Sequence, residues 1–469
     1  MRLEMDGVEA MLDGTVDLLN WPDAKIAIRD SSIDAPTMKD VFFAQDNFST
    51  TGDAAFIGDW HLFDGGHELS GSFTSENWTF QGLDFPVFDG DLVWTRDRFE
   101  ITRANSRFYD GDLEFTYVMQ PLGTEEQTIA TFAPRVDGAE VLPLFDAIGI
   151  AGIRPLGTVG GEVFLEWPTD NFDNRRGHAT FEFVPVNDVP LQSRVIRPAR
   201  GRVGWAYAER PFSPNAAPWQ FPLGGEIDMH FDPERIEVSS SWIATPLTAV
   251  TFDGWTKWGD ESRIPFEVKS ADWQESDRLM VAFMTAFNRE TGELDVAGHG
   301  TLSGVMSGDF LSPRIDATFD GDDVYAWNVD WGHGSGELIV EDGFLDVANG
   351  LFRDRDSRVH VNGRFALGPP PDGEEEINAS FEIDGIPAQY LRDAFSLEGY
   401  PIDGPLYGDI RLYGAYRRPY GFGRLRIDEG TAYGETFEQT DAGLRFEGDG
   451  VWLDGLTVAK GLGEVTGAM

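Results

Sequence analysis

The stretch Pro401–Gly430, PIDGPLYGDIRLYGAYRRPYGFGRLRIDEG, reads as two strands joined by a turn and holds nothing that resembles an active site. It is not unique in the chain. At an offset of 247 residues (404 minus 157) lies GIRPLGTVGGEVFLEW, in which Gly157, Gly161, Glu162, Val163 and Leu165 fall on Gly404, Gly408, Asp409, Ile410 and Leu412. The same offset lays VDGAEVLPLFDAIGI over IDGIPAQYLRDAFSL, pairing Asp137, Gly138, Leu144 and Asp146 with Asp384, Gly385, Leu391 and Asp393. A third echo, shifted by one residue, sets the segment from Gly90 on that from Gly336. The chain therefore reads as internally duplicated, and a repeat of this length dictates the architecture.

Strand signals dominate the rest. Short alternating runs bounded by Gly, Asp, Asn and Pro recur roughly every 8 to 12 residues, the mark of consecutive antiparallel hairpins. In GLRFEGDGVWLDGLTV, Leu444 and Phe446 face one side, GDG turns the chain, and Val451 and Leu453 resume the alternation before Gly455 breaks it. Two segments carry helical spacing instead: Val141, Leu144, Phe145 and Ile148 in one, Leu391, Ala394 and Phe395 in the other. Equivalent in the duplication, they are expected to cap the sheet at the same place in each unit. The expected fold is all-β: an elongated, repetitive antiparallel sheet curled into a β-taco groove with two short amphipathic helices. Residues 1–135 form a β-repeat region, 136–375 the first duplicated unit and 376–469 the start of a second. The segments Arg210–Gly225 and Leu367–Glu376 read as loops off one continuous structure.

Composition narrows the function. Of 469 residues, 41% are hydrophobic and 13% aromatic, enough for a core, while 36 basic against 81 acidic side chains give a formal net charge of −45. That balance argues against nucleic acid, which needs a positive footprint, and no block of Lys and Arg supplies one locally. Without cysteine there is no thiolate metal site and no Cys nucleophile. The first residues lack a signal-peptide pattern, no apolar run of about 18 residues is present to span a bilayer, and the last residues stop while a strand pattern is running. An internal slice of a longer protein is the expectation.

The search for chemistry leaves little. WGHGSGEL holds His333 and Ser335 but lacks the order and the strand-to-helix context of a nucleophile elbow; a Gly-rich turn is the plainer reading. His61 and His67, the nearest histidine pair, have no third ligand beside them. Asp320, Asp322 and Asp323 resemble part of a calcium loop without its full spacing. No cofactor and no catalytic residue is expected. What remains is an apolar face rich in bulky side chains, as in Val41–Phe48, Ala54–Phe63 and Ser241–Trp255. It either packs as core or lines a trough for acyl chains. At about 0.8 kcal/mol per methylene, a two-chain lipid loses on the order of 20 kcal/mol on leaving a membrane for water, so only a continuous apolar path carries it. Candidate lining residues are Phe344, Val347, Leu444, Phe446, Val451 and Leu453.

The D-G, short-helix, PLGTVGGEVFLEW pattern, its counterpart PIDGPLYGDIRLYGAYRRPYGFGRLRI and the paired strands that follow resemble the AsmA-like superfamily, and Ile383–Gly467 most resembles its TamB branch, the translocation and assembly module subunit. The resemblance implies a lengthwise-folded sheet with a hydrophobic groove, a periplasmic position with an inner-membrane anchor outside this chain, and an outer-membrane barrel protein as partner. It also implies a role in phospholipid movement between the two membranes or in outer-membrane protein assembly and secretion, without catalysis. The alternative is a repeat-built adhesion or carbohydrate-binding β protein using Trp255, Trp258 and Trp331 with calcium.

Overall fold

The computed structural model describes all residues except 6, 43–48, 151, 193–219, 287–292, 294–295, 311, 327, 371–373, 395–398, 449 and 469. The chain is mostly β, about 70% strand, with one long antiparallel sheet of 28 strands that is not closed into a barrel. A separate three-stranded sheet is made by Thr50–Thr51, Trp78–Phe80 and Leu83–Phe85. The chain divides into two compact units, the first Met1–Val189 with Gln220–Ile243 and Trp255–Trp258, the second Pro190–Trp219, Ala244–Gly254 and Gly259–Met469.

The opening stretch forms strands Pro405–Ala415 and Arg418–Ala432, paired antiparallel from Ala415 opposite Arg418 to Leu406 opposite Ile427. The alternation predicted around the GDG turn is also seen: Leu444 opposes Leu453 and Phe446 opposes Val451, and the register shifts where Gly455 takes φ +61°. The sheet is not wholly antiparallel. Gln220–Pro222, inside the segment read as the loop Arg210–Gly225, pairs parallel with Arg154–Leu156, while residues 210–219 lie outside the described residues.

Four α-helices are described, α1 (Ala35–Phe42), α2 (Val141–Ala147), α3 (Trp273–Ala286) and α4 (Ala388–Ala394), where spacing predicted only α2 and α4. Those two begin and end 247 residues apart (388 minus 141). The strand before each bulges at the same place. Gly138 and Gly385 take φ +69° and +70°, in the left-handed region open to glycine, and the register shifts between Val136 and Ala139 and between Ile383 and Ile386. Phe395, expected on the face of α4, and residues 43–48 of the apolar run Val41–Phe48 lie outside the described residues.

Within each unit the strands run up and down in order, so every second connection falls on the same rim. In the first unit α1, the Trp78–Phe85 excursion and α2 all follow odd-numbered strands of the meander and share one rim. In the second unit α3 and α4 share one rim likewise, and no α-helix among the described residues lies on the other. Val141 of α2 is buried among Phe108, Leu113 and Val159, so the helix closes the apolar face at its rim.

The inner side of the opening hairpin leaves no room for side chains at two points. A methyl group at Gly421 would stand 2.1 Å from the Arg411 carbonyl oxygen, and one at Gly423 2.2 Å from that of Asp409. Gly421→Val and Gly423→Val are each expected to destabilise the protein by about 1–3 kcal/mol through forced backbone shifts, read as a fall in thermal midpoint by circular dichroism. Gly467→Ala, with nothing within 4 Å, serves as the control. An unchanged midpoint in both Val variants would remove the close approach as a determinant of the fold.

Candidate functional site

Cross-strand neighbours in a ladder point to the same side, so the registers give the two faces directly. In the first unit one row passes through Trp60, Leu69, Trp94, Phe99, Met119 and Ala130. A row five residues further along most of these strands, and on the other side, passes through Thr74, Asp89, Asn105, Glu114, Arg135 and Glu162. The second unit repeats the division. From Leu338 and Val347 the ladder runs through Gly363, Ala379, Leu412 and Gly421 to Phe446 and Val451 without a polar side chain. The next row on that side carries Val361, Phe381, Ile410, Gly423, Leu444 and Leu453.

This apolar face is only partly covered. Ala379, Leu412, Leu444 and Phe446 are buried, but Phe266, Leu302, Phe319, Leu338 and Val347 are half-buried, as are Trp60, Leu69, Trp94 and Phe132 in the first unit. Rings line much of it, with Phe88 against Phe73 and Phe115, Phe115 against Phe132, and Phe319 against both Trp273 and Phe352.

Of the six residues singled out in the sequence, Leu444 and Phe446 are buried in one cluster, with Val347 and Leu453 packed against it. Val451 lies on the same face opposite Phe446 and is 41% exposed. Phe344 lies elsewhere. It opposes Glu341 and Ala366 on the polar side, roofed by the Arg364 guanidinium 4.2 Å from its ring centroid. It sits an odd number of residues from Val347, and strand alternation turns it away.

The remaining candidates disperse. His61 bonds Asp23 at 3.0 Å, whereas His67 sets its ring edge-on to Trp94, so the two histidines stand on opposite faces. WGHGSGEL is not a turn but the interior of strand Val329–Glu341, with the rings of Phe352 and Phe319 lying over Gly334 and Gly336. Asp322 and Asp320 face His333 at 2.9 and 3.5 Å, and Asp323 lies 3.7 Å from His299. Among the described residues no group of three or more metal-ligating side chains converges. Trp331 donates its indole N–H to the Ala326 carbonyl and packs against Phe352 and Tyr390, while Trp258 is covered by Arg175 at 4.0 Å. The Tyr390 hydroxyl donates to Asp354 at 2.8 Å, and burial with that carboxylate pushes its pKa up to about 12. On the polar face of the first unit a cleft of about 400 Å³ is lined by Asp89, Arg107, Glu114 and Arg135 among others, and its arginines are paired with Asp112 and Glu162.

Helix α3 was missed by apolar spacing, although its start, Asp272-Trp-Gln-Glu275, has the form of a capping box. Asp272 does cap it, accepting from Gln274 N at 3.0 Å. Glu275 turns outward instead, accepting from the Thr245 hydroxyl and from Leu247 N at 3.1 Å, while Ser276 joins Thr248 and Ser270. This polar latch holds the helix start over the sheet, with the Trp273 ring over Gly321.

No family model, no curated protein and no solved structure matches this chain. No helix among the described residues is long and apolar enough to cross a membrane.

Burial raises the Glu275 carboxyl above its ordinary value of 4.5 despite the opposing hydrogen bonds from Thr245 and Leu247, and burial raises Asp272 as well. A folded-state pKa above the unfolded one means that stability is fully present below about pH 4.5 and lost as pH rises through the folded value. Glu275→Gln, neutral at every pH, is therefore expected to flatten the dependence of the melting temperature on pH above that point. An unaltered slope would show that the latch does not titrate.

Proposed function

We propose that the apolar inner face is a groove that shields phospholipid acyl chains from water, with headgroups left outside. On this reading the chain is a non-enzymatic cell-envelope protein of the AsmA-like, TamB-like kind, periplasmic and tied to the inner membrane through segments outside this chain. It serves phospholipid movement between inner and outer membranes, or supports outer-membrane protein assembly together with a barrel partner. The observation that carries the reading is the pairing of two properties: the apolar ladder crosses eight consecutive strands from Leu338 to Val451 without a polar side chain, yet much of it is incompletely covered. A sealed core buries such side chains outright, whereas a surface meant only for water does not assemble them. The glycan-binding alternative draws no support from Trp331, whose ring is packed and whose N–H is already bonded.

The test is native mass spectrometry with lipid extraction on the protein purified from a double-membraned bacterium. Phospholipid is expected to co-purify. Leu338→Arg and Val347→Arg, at half-buried positions, are expected to remove it, since displacing three or four methylenes costs about 3 kcal/mol, roughly a hundredfold in affinity. A folded parent free of lipid, or Arg variants that retain it, would overturn the reading.

A further inference from the structure

We propose that His178 and His230, on the polar face of the first unit, bind a divalent transition-metal ion of the imidazole-preferring kind, such as zinc, and that the ion clips strands Arg176–Pro185 and Gly224–Phe231 together. The site lies on the face opposite the groove and does not depend on that reading.

Register carries the inference. The two histidines are 52 residues apart in the sequence (230 minus 178), yet pairing sets them directly opposite one another. Opposed Cβ atoms in an antiparallel pair stand about 4.5–5.5 Å apart. The ring centres of His178 and His230 are 6.0 Å apart, with their planes inclined by 33°. With Zn–N bonds of about 2.0–2.1 Å at a tetrahedral angle, two imidazoles that share an ion have their centres about 5 Å apart. The pair has only to close by about 1 Å, and both side chains are exposed, where rotamers change readily. No other two histidines among the described residues oppose one another.

The surroundings suit a cation. Phe164, opposite His178 on the preceding strand, stacks on its ring at 5.6 Å, and His230 stands on the other side. Asp228 Oδ1 lies 3.9 Å from His230 Nδ1, which leaves Nε2 for the metal with a carboxylate behind the ring. Glu162 and Glu166 flank the pair, but each takes up an arginine, Arg135 at 3.0 Å and Arg176 respectively, and Glu237 on the following strand is held by Arg235. Among these acids Asp228 alone has no arginine, so the local balance is negative. Imidazole nitrogen selects zinc, copper and nickel over calcium and magnesium, which take oxygen ligands. Two protein ligands leave the remaining positions to water, so the ion is held reversibly.

The clip would act at a particular seam. Residues 186–223 separate the two strands, far more than a hairpin turn, and a link that closes a long loop restricts the unfolded chain more than one across a short turn.

The test is titration of the whole chain with Zn²⁺. One ion per chain is expected to depend on this pair: His178→Gln and His230→Gln should each weaken it at least tenfold, whereas His299→Gln with His333→Gln should bind as the parent does. At about five times its dissociation constant, Zn²⁺ is expected to raise the thermal midpoint of the parent by about 2–4 °C and to leave that of the His178 and His230 variants in place. Ca²⁺ at the same concentration should do neither. Electron paramagnetic resonance with Cu²⁺ should show two coordinated imidazole nitrogens in the parent and one in either variant. Zinc affinity unchanged in both variants, a single imidazole on copper in the parent, a midpoint unmoved by zinc, or an equal response to Ca²⁺ would overturn the proposal.

Discussion

Strand register is the constraint on which the rest of this molecule depends. With side chains alternating at period two, a slip of one residue in any strand would carry its apolar set to the charged side and its charges to the apolar side. The ladders hold register over long distances, and where they shift they do so at defined points. Val136 to Ala139 and Ile383 to Ile386 absorb the extra residues beside Gly138 and Gly385, after which Val159 and Leu406 return to the apolar side. Bulges of this kind bend the strand and reset the pairing without exchanging the faces.

The two faces have different energetics. On the polar side the contacts are exposed ion pairs between neighbouring strands, such as Arg103 with Asp91, Arg135 with Glu162 and Arg445 with Asp454. Each of these contributes little in water, with a median of about 0–1 kcal/mol. Cohesion comes from the apolar side, where packing around Leu406, Ile410, Phe437 and Phe446 removes large side chains from solvent. The excess of acid therefore concerns solubility and mutual repulsion between molecules more than the fold.

Much of this was legible in the sequence, for particular reasons. The hairpin at Pro405–Ala432 and the pairing of Leu444 with Leu453 follow from alternation and a turn, both local signals. Helices α2 and α4 were visible because apolar spacing changed from two to three and four. Helix α3 was not, since its start is fixed by contacts to Thr245 and Leu247, far away in sequence. Phe344 was assigned to the wrong side because a bulky residue near a strand start suggests burial without saying under what, and its cover is an arginine from the next strand. WGHGSGEL looked like a turn because glycine signals one locally, whereas here glycine makes space for rings from adjacent strands.

The placement of helices on a single rim of each unit has a consequence for how such a chain can change. Because direction reverses at every strand, a helix stays on its own rim only if strands are gained or lost in twos; a single added strand would send every later insertion to the opposite side. The heritable unit of length is thus an even number of strands, and parity, more than any particular residue, is what lengthening or shortening of the sheet must preserve.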